Sequence, residues 1–404
     1  MKTLPRAVLA AIWFMIICSP IMGLQINPDR SVSFLWERLA GLGVGIFIAS
    51  LLWQWYFSKR RLEVQRSIRM PKSVAALSCI FKEGKPRRIA LACLLAFMLL
   101  IPFLPGIGTI YQITILISAL TYVMLALGLN IVVGLAGQLV LGYAAFYAIG
   151  AYTYALLTSY FGLGFWVCLP IAGVMTILFG LALGFPVLRL RGDYLAIVTL
   201  GFGEIVRLVL LNWVSVTGGS HGINNIPKPT LPGFTLDIQG STIYLYYLSL
   251  AAVVMAIIII SRLKNSRVGL ALQAMREDEI ASEAMGINLT TVKLSAFALS
   301  SAWAGFAGVF FAAKTSFVNP ASFTFMESAM MLSMVVLGGM GSITGVTLGA
   351  LVLILVPEYL RAFADYRMLL FGAVMVIMMV FRPQGLITGE RRKYRISELE
   401  GDKA

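Results

Sequence analysis

Met275-Arg276-Glu277-Asp278-Glu279-Ile280-Ala281-Ser282-Glu283-Ala284-Met285-Gly286 is a charged run set between two long apolar stretches. It holds four of the 18 acidic residues of the chain. Hydrophobic residues make up 59% of the 404 residues and charged residues only 12%, where an ordinary soluble domain carries about 25% charged residues. The mean hydropathy is +0.88. Several apolar runs reach the ~20 residues that a helix needs to cross a bilayer. The sequence is therefore that of an all-α polytopic membrane protein, and the charged run is an interior loop presented to water.

Working outward from the loop, candidate spans fall at residues 7–24, 39–58, 89–105, 110–133, 139–160, 165–185, 194–213, 243–261, 294–313, 328–340, 343–357 and 368–381. The first has the length of a signal peptide. The residues after it (Ser19, Pro20, Ile21, Met22, Gly23) lack a small-x-small cleavage pattern, so it reads as a retained span. Residues 59–88 hold ten Lys and Arg and read as a cytoplasmic linker resting on anionic lipid. The expected organisation is a two-helix N-terminal membrane extension (1–58), the basic linker (59–88), a transmembrane core (89–387) and a cytoplasmic tail (388–404).

Segments 328–340 and 343–357 are short and meet at Gly338-Gly339-Met340-Gly341, so they are two spans or one bent helix. Charge decides between them, because Lys and Arg collect on the cytoplasmic side. If all twelve segments cross and the N-terminus is inside, 25 of the 32 Lys and Arg lie inside. Fusing the two short segments would put the tail with Arg391, Arg392, Lys393 and Arg395 outside. Two spans are preferred. Residues 262–293 are then cytoplasmic, and residues 214–242 are external.

The same bias accounts for the net charge of +14 without a nucleic-acid partner. The four cysteines are scattered and His221 is the single histidine, so neither a metal site nor a disulfide is expected. No Ser/His/Asp set and no GxxxxGK[ST] phosphate loop occurs. We expect no catalytic residues and no cofactor in this chain.

Glu204 and Arg207 are the ionisable pair set deep in a span, at a spacing that makes them neighbours on one helix face. They read as a structural ion pair or as a pathway-lining or gating pair. Gly134-Leu-Ala-Gly137-Gln138-Leu-Val-Leu-Gly142-Tyr143 is a glycine-rich break between spans. Broken helices in transporters surround substrate paths, and Asn130, Gln138, Tyr143 and Thr199 are uncharged candidates for lining one. Gly341/Gly345/Gly349, Gly180/Gly184 and Ser300/Ala304/Gly308 have the spacing that lets helices approach closely. In the loop, residues 268–285 read as one helix ended by Gly286. Asn288 or Thr290 caps the next helix. Arg276, Glu279 and Glu283 would share one face of the first. The loop is a solvated connector or a knob that docks into a soluble partner.

Arg276-Glu-Asp-Glu-Ile-Ala-Ser-Glu-Ala-Met-Gly-Ile-Asn288, followed by Lys293 and Ala304-Gly-Phe-Ala-Gly308, resembles the coupling region of branched-chain amino acid ABC transporter permeases of the LivM family. Leu127-Gly-Leu-Asn-Ile-Val-Val-Gly134, residues 142–152, residues 189–204, Val336-Leu-Gly-Gly-Met-Gly-Ser342 and Arg382-Pro-Gln-Gly-Leu386 extend the resemblance over essentially the whole chain. The resemblance implies a ten-span core of the type II ABC importer kind in the bacterial inner membrane, with both termini cytoplasmic. It implies a second, non-identical permease, two cytoplasmic ATPase subunits that hold ATP and magnesium, and a periplasmic amino-acid-binding protein delivering leucine, isoleucine or valine. It assigns Arg276, Glu277, Asp278, Glu279, Glu283 and Gly286 to coupling with the ATPases. Glu-Ala-Met-Gly here departs from the fuller Glu-Ala-Ala-x-x-x-Gly of other importers. The alternatives are an ABC permease for urea or short amides, an ion-coupled carrier, which would want more acids in the membrane than Glu204, and a membrane enzyme.

Overall fold

The computed structural model describes residues 109–188, 190, 192–229 and 237–359, the strands Leu24–Ile26 and Val32–Phe34, and the single residues Leu99, Pro102, Gly372, Val376, Gly385 and Leu386. The chain divides into two compact units, Met1–Ala90 and Leu91–Ala404. In the first, β1 (Leu24–Ile26) pairs antiparallel with β2 (Val32–Phe34), Gln25 opposite Ser33. The segments expected at 7–24, 39–58, 89–105 and 368–381, with the linker and the tail, fall almost wholly outside the described residues.

The second unit is helical. Its elements are α1 (Ile110–Asn130), continued by a π-helical stretch Ile131–Leu135, α2 (Tyr143–Phe161), α3 (Phe165–Val187), α4 (Asp193–Asn212) and the short α5 (Val214–Thr217). There follow α6 (Ile238–Lys264), α7 (Arg267–Glu277), α8 (Glu279–Ala284), α9 (Leu289–Thr315), α10 (Phe325–Gly338) and α11 (Ile343–Tyr359). Among the described residues six helices are long and apolar enough to cross a membrane: α1 with its π-helical end, α3, α4, α6, α9, and α10 with the turn before it. The short segments expected at 328–340 and 343–357 are two separate helices. They fold back on each other at the turn 339–342, with Gly349 against Gly338 and Gly338 against Gly345. Gly339 (φ 108°) and Gly341 (φ 82°) adopt backbone conformations that a side chain resists.

α9 packs closely against α1, α2 and α3. Lipid tails are as apolar as leucine, so helices in a bilayer associate through close contact and hydrogen bonds more than through the hydrophobic effect. α9 presents small residues to its neighbours accordingly. Gly305 sits against Thr176 of α3, and Gly150 of α2 against Gly305. Gly308 meets the backbone of Tyr147 and Ala151, and Gly180 of α3 meets Ser301. A β-carbon at Gly128 of α1 would lie 2.8 Å from Cβ of Trp303. Ser300, Ala304 and Gly308, the stripe noted in the sequence, are buried in these contacts. Ser300 Oγ also donates to the Gly128 carbonyl, 2.8 Å. α4 is the opposite case. It buries only Leu195, Ala196 and Thr199, and leaves Tyr194, Ile197, Ile205 and Trp213 exposed.

The contacts sort the connections into two ends. At one end β3 (Ile223–Asn224) pairs with β4 (Phe317–Val318), and the Tyr154 hydroxyl donates to the Pro227 carbonyl, 2.7 Å. Lys314 donates to Ser118 there, and Tyr111 donates to Glu358, 2.6 Å. The opposite end gathers the break after α1, the α7–α8 loop and the turn between α10 and α11. The charge reading places the first of these ends outside and the second inside.

Candidate functional site

The site is built at the second of these ends. Ser266 opens α7, its Oγ accepting from Gly269 N at 3.2 Å. Leu272 and Met275 point into the bundle and hold the helix against it. The sequence reading of one helix over 268–285 is corrected here. The chain is extended at Asp278 (φ −158°, ψ 118°), and α8 begins after it. Asp278 is the reason. Its Oδ1 accepts from the backbone N–H of Ile280 (2.8 Å) and Ala281 (3.0 Å) and caps α8. A carboxylate satisfies two otherwise orphaned donors and meets the positive end of the helix dipole.

The break changes which way the charges face. Arg276 and Glu279 do not share a helix face. Arg276 is itself an exposed residue, but its guanidinium reaches back to donate to the Gly134 carbonyl at the end of the π-helical stretch. Glu279 pairs with Lys293 of α9, 2.9 Å, and the Lys293 side chain is only 4% exposed. Glu277 and Glu283 are exposed. Gly286 ends α8 with φ 85° and nothing within 4 Å of where a side chain would start. Its N–H donates to Glu283 O (2.9 Å), and Ile287 N donates to Ser282 O (3.1 Å), the paired bonds of a left-handed helix stop. Asn288 then caps α9 by accepting from Thr291 N, 3.2 Å.

Two residues that sequence reasoning passed over stand out on the loop. Ile280 is 69% exposed and Met285 83% exposed. Apolar side chains exposed singly are common on protein surfaces, so what sets these two apart is their place on the charged loop. The signal was present as two apolar residues at the edges of an acidic run. Lys264, counted only as cytoplasmic charge, and Lys293 also prove to be structural links. Glu327, at the start of α10, was missed because it fell one residue before its expected span. It accepts a hydrogen bond from the Tyr122 hydroxyl, 2.7 Å.

The uncharged candidates divide. Asn130 is fully buried, and its Oδ1 accepts from Gly341 N at 2.8 Å. Among the described residues its Nδ2 has no partner, and neither does Oε1 or Nε2 of the buried Gln138. Thr199 of α4 accepts from Leu141 N at 3.0 Å and donates to Ala196 O at 2.9 Å, and so ties α4 to the break. Gly142 is packed on the Thr199 carbonyl with no room for a side chain. Tyr143 donates to the Ser300 carbonyl, 2.9 Å, and bolts α2 to α9. Asn130, Gly134, Gly137, Arg276, Lys264 and Gly341 thus come together, while Thr199 joins them through the chain between Gly137 and Gly142.

Glu204 and Arg207 bond to each other, Nε to Oε2 at 2.8 Å, on the sparsely covered helix α4. Their side chains are 35% and 28% exposed. A bonded pair of opposite charge is the form in which ionisable groups are tolerated within a span. Among the described residues no group of three or more His, Cys, Asp and Glu is placed to hold a metal ion.

Comparison with known proteins accords with this architecture. The family model described as branched-chain amino acid transport system / permease component matches residues 111–379. The high-affinity branched-chain amino acid transport system permease protein LivM of Escherichia coli (strain K12) is 43% identical, with 98% of each chain covered. LivM of Salmonella typhimurium is 42% identical, again over 98% of both chains. The permease protein LivH of Escherichia coli (strain K12) is 24% identical over 66% of this chain and 91% of its own. No solved structure matches.

Proposed function

The chain belongs to the family of branched-chain amino acid transport permeases, and from that premise we propose that it is the LivM-type permease subunit of an ATP-driven importer of leucine, isoleucine and valine. The observation that carries the reading is the 43% identity to a LivM permease over 98% of both chains. The core has ten spans preceded by a two-helix extension, in a bacterial inner membrane, with both termini in the cytoplasm. The translocation path lies between this chain and a second permease of the LivH kind, since the relatives include both. A periplasmic binding protein delivers the amino acid. Two cytoplasmic ATPase subunits, holding ATP and magnesium, drive the cycle.

The geometry supports a division of labour. The loop α7–α8 is the coupling element. Ile280 and Met285 form its apolar tip, with Glu277 and Glu283 at its rim, and the tip enters a groove on an ATPase subunit. Closure of the ATPases moves the loop, and the bundle rocks with it. Gln138 offers a hydrogen-bonding amide beside the break, where a zwitterion leaving the membrane would meet it. Glu204–Arg207, on the least covered helix, faces the path between the permeases. Selection among side chains rests with the binding protein.

The test is leucine uptake by proteoliposomes containing this chain, its permease partner, the ATPases and the binding protein. Uptake that requires both ATP and the ATPase subunits is expected. Uptake that runs without either, or that collapses with an ionophore alone, would overturn the reading in favour of an ion-coupled carrier.

A further inference from the structure

We propose that Arg276 is a positioning residue that ties the coupling loop to the inner break of the bundle, through a chain of bonds running Arg276–Gly134 and Asn130–Gly341–Lys264. This rests on the transporter reading above and gives one of its charged loop residues a role directed inward, away from the ATPase.

The bonds are these. Arg276, in the last turn of α7, donates to the carbonyl of Gly134, 142 residues earlier in the chain. α1 and its π-helical end form one run of 26 residues. The last carbonyls of a helix lack partners within it, and they carry the negative end of its dipole. Basic side chains near a helix C-terminus bond such carbonyls. Asn130, one turn back on the same helix, accepts from the N–H of Gly341. The Gly341 carbonyl in turn accepts from Lys264 Nζ at 2.8 Å, in the last turn of α6. Both polar groups of Gly341 are therefore held, one by α1 and the other by α6.

Glycine is required at each joint. A β-carbon at Gly134 would collide with the Asn130 side chain and with Gly341 N. At Gly137 (φ 71°) it would lie 2.7 Å from Cγ of Arg276. At Gly341 (φ 82°) it would approach the Gly134 carbonyl at 3.2 Å and Arg276 Nη1 at 3.4 Å. The joint is made of main chain held by side chains, with no slack for a methyl group. A shift of α7 must therefore pull the end of α1, and through Asn130 it must pull the turn between α10 and α11. One motion at the loop reaches α1, α6, α10 and α11 together.

The experiment uses the full reconstituted complex and reads ATP hydrolysed per leucine taken up. Arg276→Gln and Asn130→Leu are each expected to raise that ratio severalfold while the ATPase subunits co-purify in unchanged proportion. Asn130 is fully buried and cannot touch a soluble partner. The double substitution is expected to raise the ratio no further than the larger single one, since both cut the same link, and Arg276→Lys to fall between wild type and Arg276→Gln. If Arg276→Gln releases the ATPases, or raises the ratio while Asn130→Leu leaves it unchanged, Arg276 acts at the docking surface and the proposal fails. Should Asn130→Leu not assemble, Lys264→Met makes the same comparison from the other side of Gly341. A wild-type complex that never links ATP to leucine uptake removes the transporter reading and this proposal with it.

Discussion

The two sides of the α7–α8 loop lie within a dozen residues of each other and are built on different principles. The inward side spends its charges on bonds. Arg276 holds the Gly134 carbonyl, Glu279 holds the buried Lys293, and Asp278 holds the start of α8. The outward side leaves Ile280, Glu283 and Met285 in solvent. The difference teaches that charge in a sequence does not say which way it faces. A one-residue break in a helix, at Asp278, sends neighbouring charges to opposite tasks.

Gly286→Pro would strain that comparison most. Proline fixes φ near −65° and removes the N–H, whereas Gly286 has φ 85° and donates to Glu283. Both sides of the loop lose their geometry. Membrane insertion is expected to survive, and leucine uptake to fall by about tenfold or more while ATP hydrolysis continues; normal transport would reduce the loop to a connector.

Glu279→Gln tests the inward side alone. It leaves the Lys293 ammonium buried without its carboxylate, and breaking such a pair costs about 3–5 kcal/mol. A clear fall in the melting temperature of the purified complex is expected, with Lys293→Met added in the same chain recovering most of it. Equal stability of the single and double variants would show that the pair is not buried in the assembled protein.

Asp278→Ala removes a helix cap, with an expected loss of about 1 kcal/mol. It should loosen α8 measurably in hydrogen exchange and leave α9 unchanged. Glu283→Gln, on the outward side, is expected to change stability by less than about 0.5 kcal/mol. Its effect should be a modest, salt-dependent weakening of ATPase binding.

Much of the fold was legible because a membrane span is a matter of length and apolarity. The helices begin and end within a few residues of the segments expected at 165–185, 194–213 and 294–313. The glycine-rich break before Tyr143 and the small-residue stripe on α9 were legible for the same local reason. The split at Asp278 was readable only in part, since an aspartate suits both a helix surface and a helix start. The inward reach of Arg276 was not readable at all. Its partner is a backbone carbonyl 142 residues away, and a carbonyl has no letter in the sequence. Tyr143 and Thr199 looked like path-lining groups, but their hydroxyls are engaged with neighbouring backbone. Polarity inside a span reports a hydrogen bond before it reports a substrate.

The outward tip offers the most direct measurement. In a chain with Cys18, Cys79, Cys93 and Cys168 replaced by serine, Met285→Cys provides one exposed thiol at the loop. The account predicts that a membrane-impermeant maleimide labels it only from the cytoplasmic side, and that a maleimide–benzophenone probe attached there joins it on irradiation to an ATPase subunit in the assembled complex. Labelling from the periplasmic side, or an assembled complex in which no ATPase subunit is captured, would contradict it.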